Sequence, residues 1–143
     1  MTIIQRSALV EYSAEQMFDL VNDIEQYPKF MLGCSSASVK SQSEGELVGE
    51  LCLSKAGVSH CFTTRNILHR PESIDMNLVK GNFSNFSAGW KFDALTESAC
   101  KVSFSMEFEF KSGLIDFAAK KLFSSSANNL VDSLVSRAQQ VYG

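Results

Sequence analysis

The sequence predicts an α+β fold in which a bent antiparallel sheet of about six or seven strands wraps around one long C-terminal helix. Apolar and polar residues alternate from Cys100 to Lys111, which predicts a long strand with one buried and one solvated face. After Gly113 the apolar spacing changes to a helical period, which predicts a helix from about Leu114 to Val141. Short connections between the earlier strands favour antiparallel pairing. Such a fold can enclose an apolar cavity.

Composition and charge narrow the class of protein. The 143 residues fit one domain, which we assign to residues 1–143. The chain has 11 Phe but only one Trp and three Tyr, so most of its aromatic rings need a dry environment. The net charge of -3 argues against a general nucleic-acid-binding protein, although a local basic patch is compatible with it.

The first third of the chain predicts one strand and two short helices. Ile4–Tyr12 is the strand, and Ser13–Gln16 has the pattern of a capping box at the start of a helix. The apolar stripe of that helix consists of Met17, Phe18, Leu20, Val21 and Ile24. A second helical turn is expected over Asp23–Tyr27. Because Pro28 disfavours helix at the residue before it, Tyr27–Leu32 is expected to be a loop.

The middle of the chain predicts strands joined by tight turns. After a strand at Ala37–Gln42, the segments Leu47–Ser54 and Ser59–Leu68 form a hairpin that turns at Lys55–Val58. This register places Leu53 opposite His60 and Leu51 opposite Phe62 on one face, and Cys52 opposite Cys61 on the other. The later features are a turn at Arg70–Glu72, a strand with Ile74, Met76 and Leu78, a loop at Gly81–Asn85, a strand with Trp90 and Phe92, and a turn at Thr96–Ser98.

The final helix is expected to cover the concave face of the sheet. Its predicted buried stripe is Ile115, Ala118, Ala119, Leu122, Ala127, Leu130, Leu134, Ala138 and Val141. Several of these residues are small, so the helix either approaches the sheet closely or leaves room for a ligand. The sequence leaves both alternatives open.

Residues that would support catalysis or metal binding are scarce. The sequence has no Ser-His-Asp motif, phosphate-binding loop or zinc-ligand spacing. None of the four cysteines forms a CxxC pair, and we expect all four to be small buried or edge residues. His60 is the one acid-base candidate on an apolar face, and a lone His there is more often a wall residue. We therefore expect that the protein is not an enzyme and that it binds neither a metal ion nor a cofactor.

The order of elements, together with specific residues, resembles the START-like superfamily of helix-grip domains. The resemblance is strongest to its polyketide-cyclase-like branch, which includes coenzyme Q-binding proteins of respiration and the bacterial ribosome-association toxin. The residues that carry it are Val10–Asp23, Tyr27–Phe30, Cys34, Phe62–Asn66, Gly81–Phe83, Gly89–Phe92 and Cys100–Phe110. The chain departs from the family pattern at Met31–Gly33 and at Asn82.

The resemblance implies a helix-grip fold and a non-catalytic carrier or chaperone for a hydrophobic isoprenoid, with ubiquinone as the favoured ligand. The expected apolar cavity residues are Leu51, Leu53, Phe62, Met76, Leu78, Trp90, Phe92, Phe104, Met106, Phe108 and Leu122. Polar candidates for the quinone head are His60, Thr64, Arg65 and Asn66. The expected entrance residues are Tyr27, Phe30, Met31, Phe83 and Phe86.

The resemblance also implies an alternative, a toxin that blocks the joining of ribosomal subunits. That activity needs a surface and not a cavity, and Lys120, Lys121 and Arg137 offer a modest basic edge. The first residues, Met1–Arg6, match neither a signal peptide nor a transit peptide, and no apolar run is long enough to span a membrane. We expect a cytoplasmic protein whose entrance loops make peripheral contact with the inner face of the membrane.

Overall fold

The computed structural model describes residues 1–111 and 117–143. Seven strands form one antiparallel sheet in the order β1-β7-β6-β5-β4-β3-β2. The strands are β1 (Thr2–Val10), β2 (Cys34–Ser43), β3 (Glu46–Lys55), β4 (Val58–His69), β5 (Ser73–Lys80), β6 (Phe83–Thr96) and β7 (Ala99–Phe110). The helices are α1 (Ala14–Asn22), a 3₁₀-helix (Ile24–Lys29), α2 (Phe117–Asn128) and α3 (Leu130–Tyr142). Helices α2 and α3 lie over the sheet, which confirms the predicted helix-grip fold.

The predicted faces and register of the strands are confirmed. In β7 the side chains from Val102 to Phe108 alternate between buried and outward-facing positions. Strands β3 and β4 pair as expected, with Leu53 opposite His60. Cys52 and Cys61 are directly opposite and form a disulfide on the outer face. The predicted facing of Cys52 and Cys61 is therefore confirmed, and Cys34 and Cys100 are buried thiols, as expected for small buried residues.

The segment after α1 is more helical than the sequence indicates. The capping box is present, because Ser13 accepts from the N–H of Gln16 while the Gln16 side chain accepts from the N–H of Ser13. The 3₁₀-helix continues through Pro28 to Lys29, so the predicted loop at Tyr27 is wrong there. The carbonyl of Tyr27 accepts from the N–H groups of both Phe30 and Met31, and this turn over Pro28 needs no donor from proline.

The predicted C-terminal helix is divided in two at Asn129. The side-chain amides of Asn128 and Asn129 donate to the carbonyls of Ser124 and Ser125, at 3.0 and 2.8 Å. Such side-chain hydrogen bonds compete with the regular backbone pattern of a helix. The predicted start of the helix at Leu114, with Ile115, lies outside the described residues.

Two positions of the predicted stripe and one predicted loop differ in the structure. Ala118 and Val141 are exposed, although each lies in the same helix as buried residues of the predicted stripe. In the last turn Tyr142 packs instead, with its ring 5.8 Å from that of Tyr12. The loop at Gly81–Asn85 is shorter than predicted, since β6 already begins at Phe83.

One cluster of aromatic rings joins α2 to the sheet. At its centre is Phe123, whose ring centroid lies between 4.9 and 5.7 Å from those of five residues on β4, β6 and β7. These neighbours are His60, Phe62, Phe83, Phe108 and Phe110. All five pairs meet edge to face, a geometry that adds about 0.5–1.5 kcal/mol per pair to the burial of apolar area.

Phe123→Ala is expected to lower the free energy of unfolding by about 3–5 kcal/mol, because it removes a ring that is packed on all sides. Phe117→Ala, in the same helix, removes a ring that is 80% exposed and should change stability by less than about 0.5 kcal/mol. Urea unfolding of both variants measures the difference. A loss below about 1 kcal/mol for Phe123→Ala would contradict the central role of this ring.

His60 is a neutral member of the ring cluster. It is 4% exposed, and neither ring nitrogen has a hydrogen-bond partner in the described part of the chain. Desolvation by burial lowers the pKa of His60 below its ordinary value of 6.5. As the pH falls below about 6.5, the unfolded chain therefore binds a proton at His60 that the folded chain does not bind.

The pH dependence of stability should consequently change in His60→Leu. The wild type is expected to lose up to about 1.4 kcal/mol per pH unit through His60 below pH about 6.5, and the variant should lack this contribution. Phe117→Ala removes an exposed ring and keeps both histidines, so it should retain the wild-type slope. Chemical unfolding between neutral and mildly acidic pH measures the slopes. Parallel curves for the wild type and His60→Leu would contradict a buried neutral His60.

Candidate functional site

A narrow apolar cavity lies between the concave face of the sheet and the helices. Its volume is about 40 Å³, which is room for about three water molecules. The wall includes residues of α1 and the 3₁₀-helix on one side, of β3 to β7 on another, and of α2 and α3 on the third. The lining residues are Val21, Asn22, Ile24, Tyr27, Met31, Gly49, Leu51, Leu53, Phe62, Thr64, Asn66, Ile74, Met76, Trp90, Phe104, Met106, Phe123, Ser126, Ala127 and Leu130.

Most of the predicted apolar residues line this cavity, but four do not. Those in the wall are Leu51, Leu53, Phe62, Met76, Trp90, Phe104 and Met106. Phe92 packs edge to face on Phe18 of α1 instead. Phe108 belongs to the ring cluster, Leu78 lies beside the turn at Gly81, and Leu122 faces away from the cavity toward an outer groove.

Of the four polar residues predicted to line the cavity, those at alternate positions of β4 face inward and Arg65 faces outward. Thr64 and Asn66 line the cavity, and the Thr64 hydroxyl donates to Oδ1 of Asn66 at 2.8 Å. Arg65 points to the outer face, where its Nε lies 3.2 Å from a carboxylate oxygen of Glu46, so its assignment to the cavity is wrong. His60 faces inward but is enclosed by the ring cluster and does not line the cavity.

Two buried polar atoms at the cavity have no partner among the described residues. They are Oδ1 of Asn22 and Oγ of Ser126, and the Ser126 side chain is completely buried. By contrast, the Tyr27 hydroxyl donates to the carbonyl of Val21, and burial is the main reason that its pKa is raised. A ligand could therefore exchange hydrogen bonds with Asn22 and Ser126. Neither side chain titrates near neutral pH, so they supply recognition rather than acid-base chemistry.

The predicted entrance residues are less exposed than expected. Tyr27 and Met31 are buried parts of the cavity wall. Phe30 is half-buried beneath the Arg137 guanidinium, whose central carbon lies 5.6 Å from the ring centroid. Phe83 is buried in the ring cluster, and Phe86 packs against it on β6, so neither forms an exposed loop.

An open groove lies outside the cavity, between α2, the loop after the 3₁₀-helix and the turn of the β3–β4 hairpin. Its volume is about 580 Å³. It is lined by Leu32, Gly33, Ser54, Lys55, Ala56, Val58, Ala118, Lys121, Leu122, Ser125 and Ser126. Ser126 borders both spaces, so the wall between groove and cavity is one side chain thick there.

Glycine allows the loop to approach α2 at this wall. Gly33 has a φ of +80°, and a Cβ placed on it would lie 2.8 Å from Oγ of Ser126 and 3.0 Å from Cδ1 of Leu122. A larger residue would both strain the backbone and displace these side chains. The cavity is therefore closed toward the groove by direct packing of Gly33 on Leu122 and Ser126.

Sequence reasoning missed part of the cavity wall. Val21 and Ile24 carried a detectable signal, because both belong to the apolar stripe that the sequence predicts for the first helix, although Ile24 lies in the 3₁₀-helix. Gly49 and Ser126 carried none, since a glycine in a strand and a serine in a serine-rich helix have no pattern that marks a cavity. Gly49 faces Ile24 so closely that an added Cβ would overlap its side chain.

Residues 1–111 and 117–143 contain neither a candidate membrane span nor a candidate metal site. No helix in this part of the chain is long and apolar enough to cross a membrane. No group of three or more His, Cys, Asp or Glu side chains within it is arranged to hold a metal ion.

The chain is similar to bacterial proteins over most of its length and, at lower identity, to a mitochondrial protein. It is 49% identical over 140 residues to the ribosome association toxin RatA of Vibrio cholerae serotype O1, covering 98% of this chain and 97% of that protein. It is 45% identical over 139 residues to the ribosome association toxin RatA of Escherichia coli K12, covering 97% and 88%. The mitochondrial coenzyme Q-binding protein COQ10 homolog B of Xenopus laevis is 25% identical over 141 residues, which cover 96% of this chain and 58% of that protein.

Solved structures confirm the START-like fold. The Zhui aromatase/cyclase from Streptomyces sp. R1128 superposes with a TM-score of 0.78 at 13% identity, covering 99% of this chain and 96% of that one. A START superfamily protein from Mycobacterium smegmatis has a TM-score of 0.78 at 19% identity, with 97% and 98% covered. The family model described as polyketide cyclase / dehydrase and lipid transport matches residues 10–135. The chain therefore belongs to the polyketide cyclase/dehydrase and lipid transport family.

Proposed function

We propose that the protein binds a ribosomal subunit and blocks the joining of subunits, the alternative that the sequence analysis left open. One observation carries this proposal: identity of 45–49% over 97–98% of the chain to proteins named ribosome association toxins. The coenzyme Q-binding relative is much more distant, at 25% identity. The favoured role changes accordingly, from a ubiquinone carrier to a ribosome-directed protein.

The proposed activity is binding, not catalysis. The polar side chains at the cavity are hydroxyl and amide groups, and the one buried histidine is enclosed by phenyl rings. Blocking the association of subunits needs only that the protein occupy a surface where the two subunits meet. From the same similarity to ribosome association toxins we also propose that the protein is cytoplasmic and that the chain forms one domain.

Raising the amount of the protein in bacterial cells should increase free ribosomal subunits at the expense of joined ribosomes in a sucrose gradient. The purified protein should sediment with one isolated subunit. The control is Leu130→Asp at the same expression level, since Leu130 is buried and an unpaired charge there destabilises the fold. Unchanged gradients at high expression, together with no sedimentation with either subunit, would refute the proposal.

We also propose that the cavity binds an apolar molecule, for which an isoprenoid quinone is the favoured candidate. The largely apolar wall supports this second role, together with the unpartnered atoms of Asn22 and Ser126. Burial of apolar ligand surface contributes about 25 cal/mol per Å² without any sequence motif. Peripheral membrane contact is proposed only as the route by which so insoluble a ligand would be loaded.

The size of the cavity sets a condition on this second role. Pockets for drug-sized ligands have volumes of about 300–1,000 Å³, whereas this cavity has about 40 Å³. Binding of a quinone therefore requires the wall to move. Where Gly33 packs on Leu122 and Ser126 the wall is one side chain thick, so an opening there would join the cavity to the outer groove.

Organic extraction of gently purified protein, followed by mass spectrometry, should recover an isoprenoid quinone. Met106→Glu places a charge in the cavity wall and should abolish this recovery. Ser105→Glu places the same charge on the solvated face of β7 and should retain it. Both variants are first checked for cooperative unfolding. Extracts without lipid from the wild type, and no binding of added quinone, would refute the second role.

A further inference from the structure

The outer groove combines an apolar floor with unpaired positive charge. Leu32, Ala56, Val58 and Leu122 supply apolar surface, and Leu32 is 51% exposed. Two lysines line the groove on opposite sides. Lys55 lies at the end of β3, beside the hairpin turn, and Lys121 lies on α2. Neither lysine forms an ion pair with the described residues, unlike Lys40, whose Nζ lies 3.6 Å from Glu50.

Negative charge is absent from the segments that build the groove. None of the 16 Asp and Glu residues falls within residues 26–43, 51–71 or 117–131. These stretches contain the loop, the hairpin turn and the described part of α2 that line the groove. Lys29 and Lys120 lie in the same stretches and add to the positive potential. A chain of net charge -3 therefore presents one local surface that attracts anions.

An exposed aromatic ring stands beside this surface. Phe117 is 80% exposed, and it precedes Lys121 by one helical turn, so both residues share a face of α2. A solvated phenyl ring next to lysine side chains matches the surfaces that bind single-stranded nucleic acid, in which bases stack on rings and lysines contact phosphates.

We propose that this groove docks an unpaired segment of ribosomal RNA, an inference that rests on the proposed ribosome-directed function. Lys55 and Lys121 contact phosphates from the two sides, and a base stacks on Phe117. The apolar floor around Val58 and Leu122 accommodates the face of a neighbouring base or sugar.

Carboxylates distinguish the groove from an open trough on the convex face of the sheet. This trough also contains basic side chains, which belong to Arg6, Lys91 and Lys101. Asp75 lines the same trough, and Asp93 lies opposite Lys101 in the sheet register. Phosphates would meet carboxylates there, so the trough provides a matched control surface.

The test compares two double variants in binding to isolated ribosomal subunits and to protein-free ribosomal RNA. Lys55→Glu/Lys121→Glu should weaken both interactions by about tenfold or more. Lys91→Glu/Lys101→Glu makes the same change of charge on the convex face and should bind like the wild type. All four lysines are exposed, so neither pair of substitutions should prevent folding.

Salt dependence and crosslinking identify RNA as the partner. Lys55→Gln/Lys121→Gln should reduce the slope of log affinity against log salt by about 1.4, because two contacts to single-stranded phosphates are lost. Ultraviolet crosslinking of the wild type to the subunit should attach nucleotides to the peptide containing Phe117, and Phe117→Ala should lose that crosslink.

Four outcomes would overturn the assignment. The groove variant could bind subunits like the wild type, the convex-face variant could be weakened equally, or crosslinks could form only with ribosomal proteins. Alternatively, the wild type could bind phosphatidylglycerol vesicles in a flotation assay, the groove variant could fail to bind them, and neither could bind protein-free RNA. The groove would then be a membrane-binding surface. Each of these leaves the proposed function standing. If the wild type bound neither ribosomal subunit, the proposed function and this inference would both be refuted.

Discussion

The insertion of Phe123 into the rings of the sheet is the interaction on which both surfaces of α2 depend. It fixes the helix over β4, β6 and β7 and thereby sets the distance between helix and sheet. Leu122 and Ser126, one residue before and three residues after it, are then held in the wall between cavity and groove. One buried ring therefore positions an internal cavity and an external groove together.

Small residues explain why the cavity is narrow. Gly33 lets the loop touch Leu122 and Ser126, and Gly49 lets α1 and the 3₁₀-helix approach β3 through Ile24. Because close packing leaves few voids in protein interiors, the remaining space is small even though its wall is largely apolar. A ligand of the proposed kind would therefore have to displace a packed contact, such as that of Gly33 with Leu122 and Ser126.

The strands could be predicted from the sequence because their alternation is long and regular. In β4 the inward positions of His60, Phe62, Thr64 and Asn66 follow from the same rule, and that rule also places Arg65 outside. The prediction that placed Arg65 in the cavity is wrong because Arg65 and Thr64 are neighbours in β4, and neighbouring side chains of a strand point to opposite faces. The pairing of Cys52 with Cys61 followed correctly from the register of the hairpin.

Other features depend on tertiary packing that periodicity does not contain. Phe92 and Phe108 face inward as the alternation predicts, but Phe18 and Phe123 cover them, so they are core residues and not cavity wall. The division of the last helix at Asn129 coincides with two amide side chains that donate to the carbonyls of Ser124 and Ser125, one turn earlier. The unpartnered Ser126 becomes notable only when its burial is known.

The net charge of the chain predicts repulsion of anions, whereas the charge of the groove predicts attraction. Which of the two a bound anion experiences depends on its distance from each charge. At physiological salt the electrostatic interaction between exposed charges is largely screened beyond about 8 Å. A phosphate in the groove therefore responds to Lys55 and Lys121, while carboxylates on the far side of the sheet contribute little. The excess of three negative charges argues against indiscriminate binding to nucleic acid but is compatible with one defined anionic partner. Segregation of carboxylates along the sequence, more than net charge, is the property that makes such a partner compatible with an acidic protein.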